Sequence, residues 1–190
     1  MNYGRERRIP DVKKLSMKNY VFAVGIAGFL AGSACVNLWM KEYIWDIGIF
    51  HEFFLEQYQQ MDIRTEAYLW YLIKVRSIPL VILAAVSGTR YKKAAVLLSI
   101  LWAGFCAGMV LCTAIARLQL KGIVLCLVAL VPHGLLYAAG YLLLFRYMLG
   151  YPLVRWQIQK TVKLVLIMSV GMLMEYYVNP VIVHMFLKSL

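Results

Sequence analysis

The sequence predicts an all-α protein, a polytopic bundle of membrane helices, and three observations predict it. Charged residues make up 15% of the chain and the hydrophobic set 63%, against about 25% and about 45–50% in ordinary soluble domains. Mean hydropathy is +0.71. Apolar runs long enough to cross a hydrocarbon core of about 30 Å recur from end to end. A soluble domain of 190 residues still exposes roughly 30% of the surface of its chain. It could not hide this much apolar area, whereas lipid can. The economical reading is one membrane-embedded helical domain over residues 20–190, preceded by a basic cytoplasmic segment, residues 1–19.

That segment carries Arg5, Arg7, Arg8, Lys13, Lys14 and Lys18. The first span follows, Tyr20 to Met40, uncharged throughout. A cleaved signal peptide is the competing reading, and Gly32-Ser33-Ala34-Cys35 has the outline of a lipoprotein cleavage box. Gly32 stands where such a box has a large apolar residue, however, and the chain stays apolar after Cys35. An uncleaved helix is therefore expected.

Residues 41–66 form the most polar stretch, an outer loop with six acids against two bases. Ile47, Phe50, Phe54 and Met61 recur near helical spacing opposite Glu52, Glu56, Gln57 and Gln60. This pattern reads as an amphipathic helix lying along the membrane surface; a solvated connecting loop is the alternative. The second span, Ala67 to Gly88, is interrupted by Lys74, Arg76 and Pro79 and ends in a basic turn, Arg90 to Lys93. Ala94 to Ala116 is a third span. After Arg117 and Lys121, Ile123 to Phe145 is a fourth, with Pro132 inside it. Arg146, Arg155, Lys160 and Lys163 mark the next connection. The last span begins at Leu164, carries Glu175 and meets Asn179-Pro180. The tail after it either extends the helix beyond a kink or lies at the interface. Pro79, Pro132 and Pro180 are the expected helix breaks.

About five spans result. The N-terminal segment, the Arg90–Lys93 turn and the Arg146–Lys163 connection hold six, three and four of the twenty basic residues. The positive-inside rule places them in the cytoplasm, so the N-terminus is expected inside and the C-terminus outside. The net charge of +11 is thus spent on orientation and on anionic lipid. Nucleic-acid binding is not expected, because no basic patch on a folded face is available. The four cysteines lie inside apolar runs with no zinc spacing, as buried free thiols do.

Two GxxxG pairs, Gly28/Gly32 and Gly104/Gly108, let helix backbones approach closely, and packing within the bundle is favoured over a dedicated dimer face. Ionisable residues inside spans carry more information, since each costs at least about 2.5–3.5 kcal/mol at the bilayer centre. Lys74 and Arg76 fall roughly 12–15 Å below the outer surface, and Glu175 reaches a similar depth. His133 and Tyr137 lie one helical turn apart in the fourth span. These five residues form a candidate intramembrane polar cluster, with Glu175 neutralised by Arg76 or Lys74. Snorkelling of the two cations toward the surface is the alternative, as is a protonated Glu175. Catalytic constellations are missing: there is no HExxH, no GxSxG and no phosphate-cradling glycine loop. No enzyme, no cofactor and no metal site are expected.

Three local patterns carry a family resemblance. Gly104-Phe105-Cys106-Ala107-Gly108 in the third span, Pro132-His133-Gly134 in the fourth and Glu175-Tyr176-Tyr177-Val178-Asn179-Pro180 in the last stand in the order and spacing found in the stage II sporulation protein M family. The chain resembles that family over nearly all of its length after the basic N-terminus. It departs at Tyr137, where relatives often have Glu. The resemblance implies a multi-pass protein of the bacterial cytoplasmic membrane, needed for engulfment of the forespore. It would be a scaffold acting with the stage II sporulation proteins D and P, which remodel peptidoglycan. Trp45, Phe50, Phe54, Glu52 and Glu56 in the outer segment are the candidate docking residues for such partners. The rival class is a small permease or transporter subunit, with a lipid-interacting protein as a third and a homo-oligomer open in each case.

Overall fold

The computed structural model describes residues 9–38, 66–150 and 157–187, and among them there is no strand. The elements are α1 (Ile9–Leu38), α2 (Glu66–Val86), α3 (Lys92–Gly150), α4 (Ile158–Tyr177) and α5 (Asn179–Leu187). Among the described residues, four helices are long and apolar enough to cross a membrane: Asn19–Leu38 of α1, α2, α3, and Ile158–Met185, which joins α4 to α5. The outer segment with Trp45, Phe50, Glu52, Phe54 and Glu56 lies outside the described residues.

α3 is two helical limbs, not one rod. Gln119 has φ 52° and ψ −131°, and the chain reverses there. A Cβ on Gly122 would run into the carbonyl group of Ala114, a residue a straight helix would carry about 12 Å away. Val96 likewise packs with Leu144 and Met148. The limbs 92–118 and 120–150 are thus antiparallel, the hairpin expected around Arg117–Lys121.

Between α2 and α3 the turn is closed by side chains. The hydroxyls of Ser87 and Thr89 donate to the carbonyls of Ala84 and Val86 at 2.6 and 2.8 Å. They satisfy acceptors that a helix end leaves open.

α1 lies along the first limb of α3, and the two GxxxG pairs meet there. Cβ atoms on Gly28 and Gly32 would strike the carbonyls of Leu101 and Phe105, and on Gly104 and Gly108 those of Gly25 and Phe29. Numbers rise together along both helices, so the pair is parallel. Backbones this close gain dispersion and Cα–H···O contact that larger side chains would prevent. Asn37 extends the seam, its side-chain amide donating to Cys112 Sγ at 3.2 Å.

The second limb packs antiparallel against α4 through two apposed stripes. One is His133, Tyr137 and Gly140, continued along the helix by Leu144 and Met148, which pack instead on Leu83 and Val96; the other is Leu164, Met168, Gly171 and Glu175. Each recurs every three or four residues, the spacing that keeps one helix face toward a neighbour. Met168 fills the space over Gly140, and the Tyr137 ring fills that over Gly171. α2 buries only Leu72 and Leu83 and sits at the edge.

Two of the expected helix breaks are absent. Pro79 and Pro132 lie within helices, and Gln119 is the only residue of α3 outside helical dihedrals. A proline in a helix forfeits one hydrogen bond, to the carbonyl four residues earlier, without having to end the helix when neighbours hold it. Near Pro180 the helix is interrupted only at Val178, which keeps helical dihedrals: α4 ends at Tyr177 and α5 starts at Asn179. Pro180 thus occupies the first turn of α5, where its missing N–H costs nothing. The tail continues as helix to Leu187 and buries Val183 against the bundle.

Candidate functional site

Where the two stripes reach their ends, His133, Tyr137 and Glu175 come together, each 5–7% exposed. Glu175 closes the stripe of α4 because it stands four residues past Gly171, and the missing side chain of Gly171 admits the ring of Tyr137. Tyr137 then donates its hydroxyl to Glu175 Oε2 at 2.6 Å. From α2, Arg76 donates Nε to Oε2 at 3.0 Å and Nη2 to Oε1 at 2.5 Å. This is the two-pronged guanidinium–carboxylate geometry, stronger than a single hydrogen bond and more specific in direction.

The guanidinium also lies over the Tyr137 ring, 4.8 Å from its centroid, where the negative face of the ring attracts it. His133 stands edge-on to Tyr137 at 5.7 Å between ring centroids. Its Nε2 is 3.9 Å from Glu175 Oε1, too far for a hydrogen bond. Its Nδ1 is buried without a hydrogen-bond partner among the described residues. Toward the N-terminal end of α2, Tyr68 stacks on Tyr176 at 6.1 Å and covers the cluster.

Lys74 does not belong to the cluster. Residues two apart on a helix point to nearly opposite sides, so α2 can present only one of its two cations to Glu175. Arg76 shares the inward side with Leu72, while Lys74 is exposed. Arg76 itself keeps 36% of its side chain exposed, against 8% for Glu175.

The arrangement joins three elements, α2, the second limb of α3 and α4, through one carboxylate. Taking a carboxylate out of water costs several kcal/mol, which excellent geometry and full hydrogen bonding can offset. Both oxygens of Glu175 are engaged. Chemically the site is an internal staple. Among the described residues no three His, Cys, Asp or Glu side chains gather to hold a metal ion.

The two GxxxG pairs form a separate site, on the opposite limb of α3. Gly171 and Asn37 were not singled out from the sequence. The four-residue spacing of Gly171 to Glu175 and of Ser33 to Asn37 was the available signal.

No family model, no curated protein and no solved structure matches this chain.

Proposed function

We propose that this chain is a non-catalytic scaffold of the bacterial cytoplasmic membrane. It crosses the membrane about five times, with its N-terminus inside and its C-terminus outside. By its resemblance to the stage II sporulation protein M family, it anchors peptidoglycan-remodelling proteins, of the kind of stage II sporulation proteins D and P, during engulfment of the forespore.

The observation that carries a structural role is the closure of the polar cluster. Glu175 accepts three hydrogen bonds, two from Arg76 and one from Tyr137, which suits a rigid support. Two of the three patterns behind the resemblance, around His133 and Glu175, meet in this cluster. At the position of departure, Tyr137 supplies a hydrogen bond that a second acid could not give while ionised. Helix directions support five crossings: α1 runs parallel to the first limb of α3, with one crossing between them, and each limb is antiparallel to the next helix.

The test is affinity purification of the tagged protein from its sporulating host in mild detergent. Peptidoglycan-remodelling proteins should come with it, and should be lost when residues 45–60 are deleted from a protein that still folds. Co-purification of an ATPase subunit instead would turn the reading to transport. Tags on both termini should be accessible from opposite sides of the membrane.

A further inference from the structure

Outside the cluster, the feature with the clearest chemical demand is the outward face of α2. Trp70, Lys74, Ile78 and Val81 follow one another at three- and four-residue steps along it, with Trp70, Ile78 and Val81 exposed to 63, 55 and 63%. Apolar exposure needs no explanation in a membrane helix, because lipid covers it. A cation does. Lys74 stands about 12 Å inward from the start of α2, deeper than its stem of four methylenes can reach back. No hydrogen bond or ion pair engages it among the described residues. Glu175, the acid nearest in depth among the described residues, is already taken by Arg76 and Tyr137. Glu66, at the first turn of the same helix, is two turns away.

We propose that this face is the docking surface for a transmembrane helix of another protein, one that carries an Asp or Glu at the depth of Lys74. Charge complementarity selects that occupant. Hydrocarbon offers Lys74 no counter-charge, and a charge left so in lipid is expensive. A second copy of this chain fits badly. Two copies share one orientation in a membrane, so apposed α2 faces would set two lysines at equal depth, a like-charge contact. An acidic partner helix neutralises Lys74 and covers Trp70 and Ile78 at once. The inference deepens the scaffold reading and rests on it only in requiring a membrane partner.

The experiment places p-benzoylphenylalanine at position 70 or 78 of the full-length protein in its own host, with the same probe at exposed Phe22 of α1 as the control. Irradiation should join positions 70 and 78, but not 22, to one heterologous protein through a span that contains Asp or Glu. The yield should fall by roughly three- to tenfold in Lys74→Gln and further in Lys74→Glu. Reversing the partner's acid to Lys should restore it in the Lys74→Glu strain. Because Lys74 is exposed, Lys74→Gln should leave the unfolding profile unchanged, which separates lost docking from lost folding.

Adducts with lipid alone, with a second copy, or with residues of the same chain would overturn the proposal. So would no adduct, or a yield indifferent to charge at residue 74. If the sporulation partners still co-purify with Lys74→Glu, the scaffold reading survives and the docking surface falls. If an acidic helix is captured that belongs to no such partner, the reverse holds.

Discussion

Glu175→Gln is the sharpest perturbation of the staple. The amide keeps the shape of the side chain but not its charge, so Arg76 loses its counter-ion while the rest of the packing stays. Removing one partner of a fully buried pair costs about 3–5 kcal/mol. Arg76 keeps 36% of its side chain exposed and can turn outward, so a loss of about 2 kcal/mol is expected, nearer the charged hydrogen-bond range. Arg76→Met alone strands the carboxylate instead, and Glu175 is only 8% exposed; its cost should be about 3 kcal/mol. In the double variant neither charge is stranded, and the loss should be well below the sum of the two. The expected coupling is about 1–2 kcal/mol, above the average measured between membrane helices and close to the largest. Helicity followed by circular dichroism, as SDS is titrated into mixed micelles, measures all four corners of the cycle. Agreement between the double variant and the simple sum, within about 0.5 kcal/mol, would refute the staple.

Tyr137→Phe removes the 2.6 Å hydrogen bond to Glu175 and leaves both arginine bonds, so the same titration should show a loss of about 1–2 kcal/mol. Gly171→Ala should also destabilise, by about 1–3 kcal/mol, because its Cβ would meet Tyr137 Cε1 at 2.9 Å. Gly32→Ala drives a Cβ into the Phe105 carbonyl, whereas Gly88→Ala meets nothing within 4 Å. The first should cost about 1–3 kcal/mol and the second should stay within about 0.5 kcal/mol of the parent; equal effects would dissolve the α1–α3 seam. Gln119→Gly removes the strain of a left-handed residue and should raise stability by about 1 kcal/mol. A fall would mean that the glutamine side chain holds the hairpin.

The long apolar helices were legible because they depend on length and hydropathy alone. Which elements meet is a different kind of information. The two GxxxG pairs announced close packing from the sequence, but their being each other's partner depends on α2 standing aside, and spacing says nothing of that. Lys74 and Arg76 could not be separated by depth, since they differ by about 3 Å along the axis. The side of the helix each one faces decides between them, and that follows from where Leu72 and Leu83 pack. Pro79 and Pro132 misled for a related reason. In water a freed carbonyl argues against a helix interior, but a bundle in lipid has no better place for the backbone than the helix. Gln119 carries no signal of a turn with positive φ and a ψ of −131°, a conformation ordinarily left to Gly.

The glycine seam bears on how such a chain is made. On the proposed membrane reading, α1 leaves the ribosome well before the limb of α3 whose carbonyls its glycines touch, and α2 is threaded into the bilayer in between. The first helix therefore waits in lipid with an open groove, and the second is inserted before most of its neighbours exist. Assembly order is then set by when residues 101–109 arrive. A short pause in translation downstream of them would let the oldest helix find its mate before α4 brings the glutamate that fastens α2.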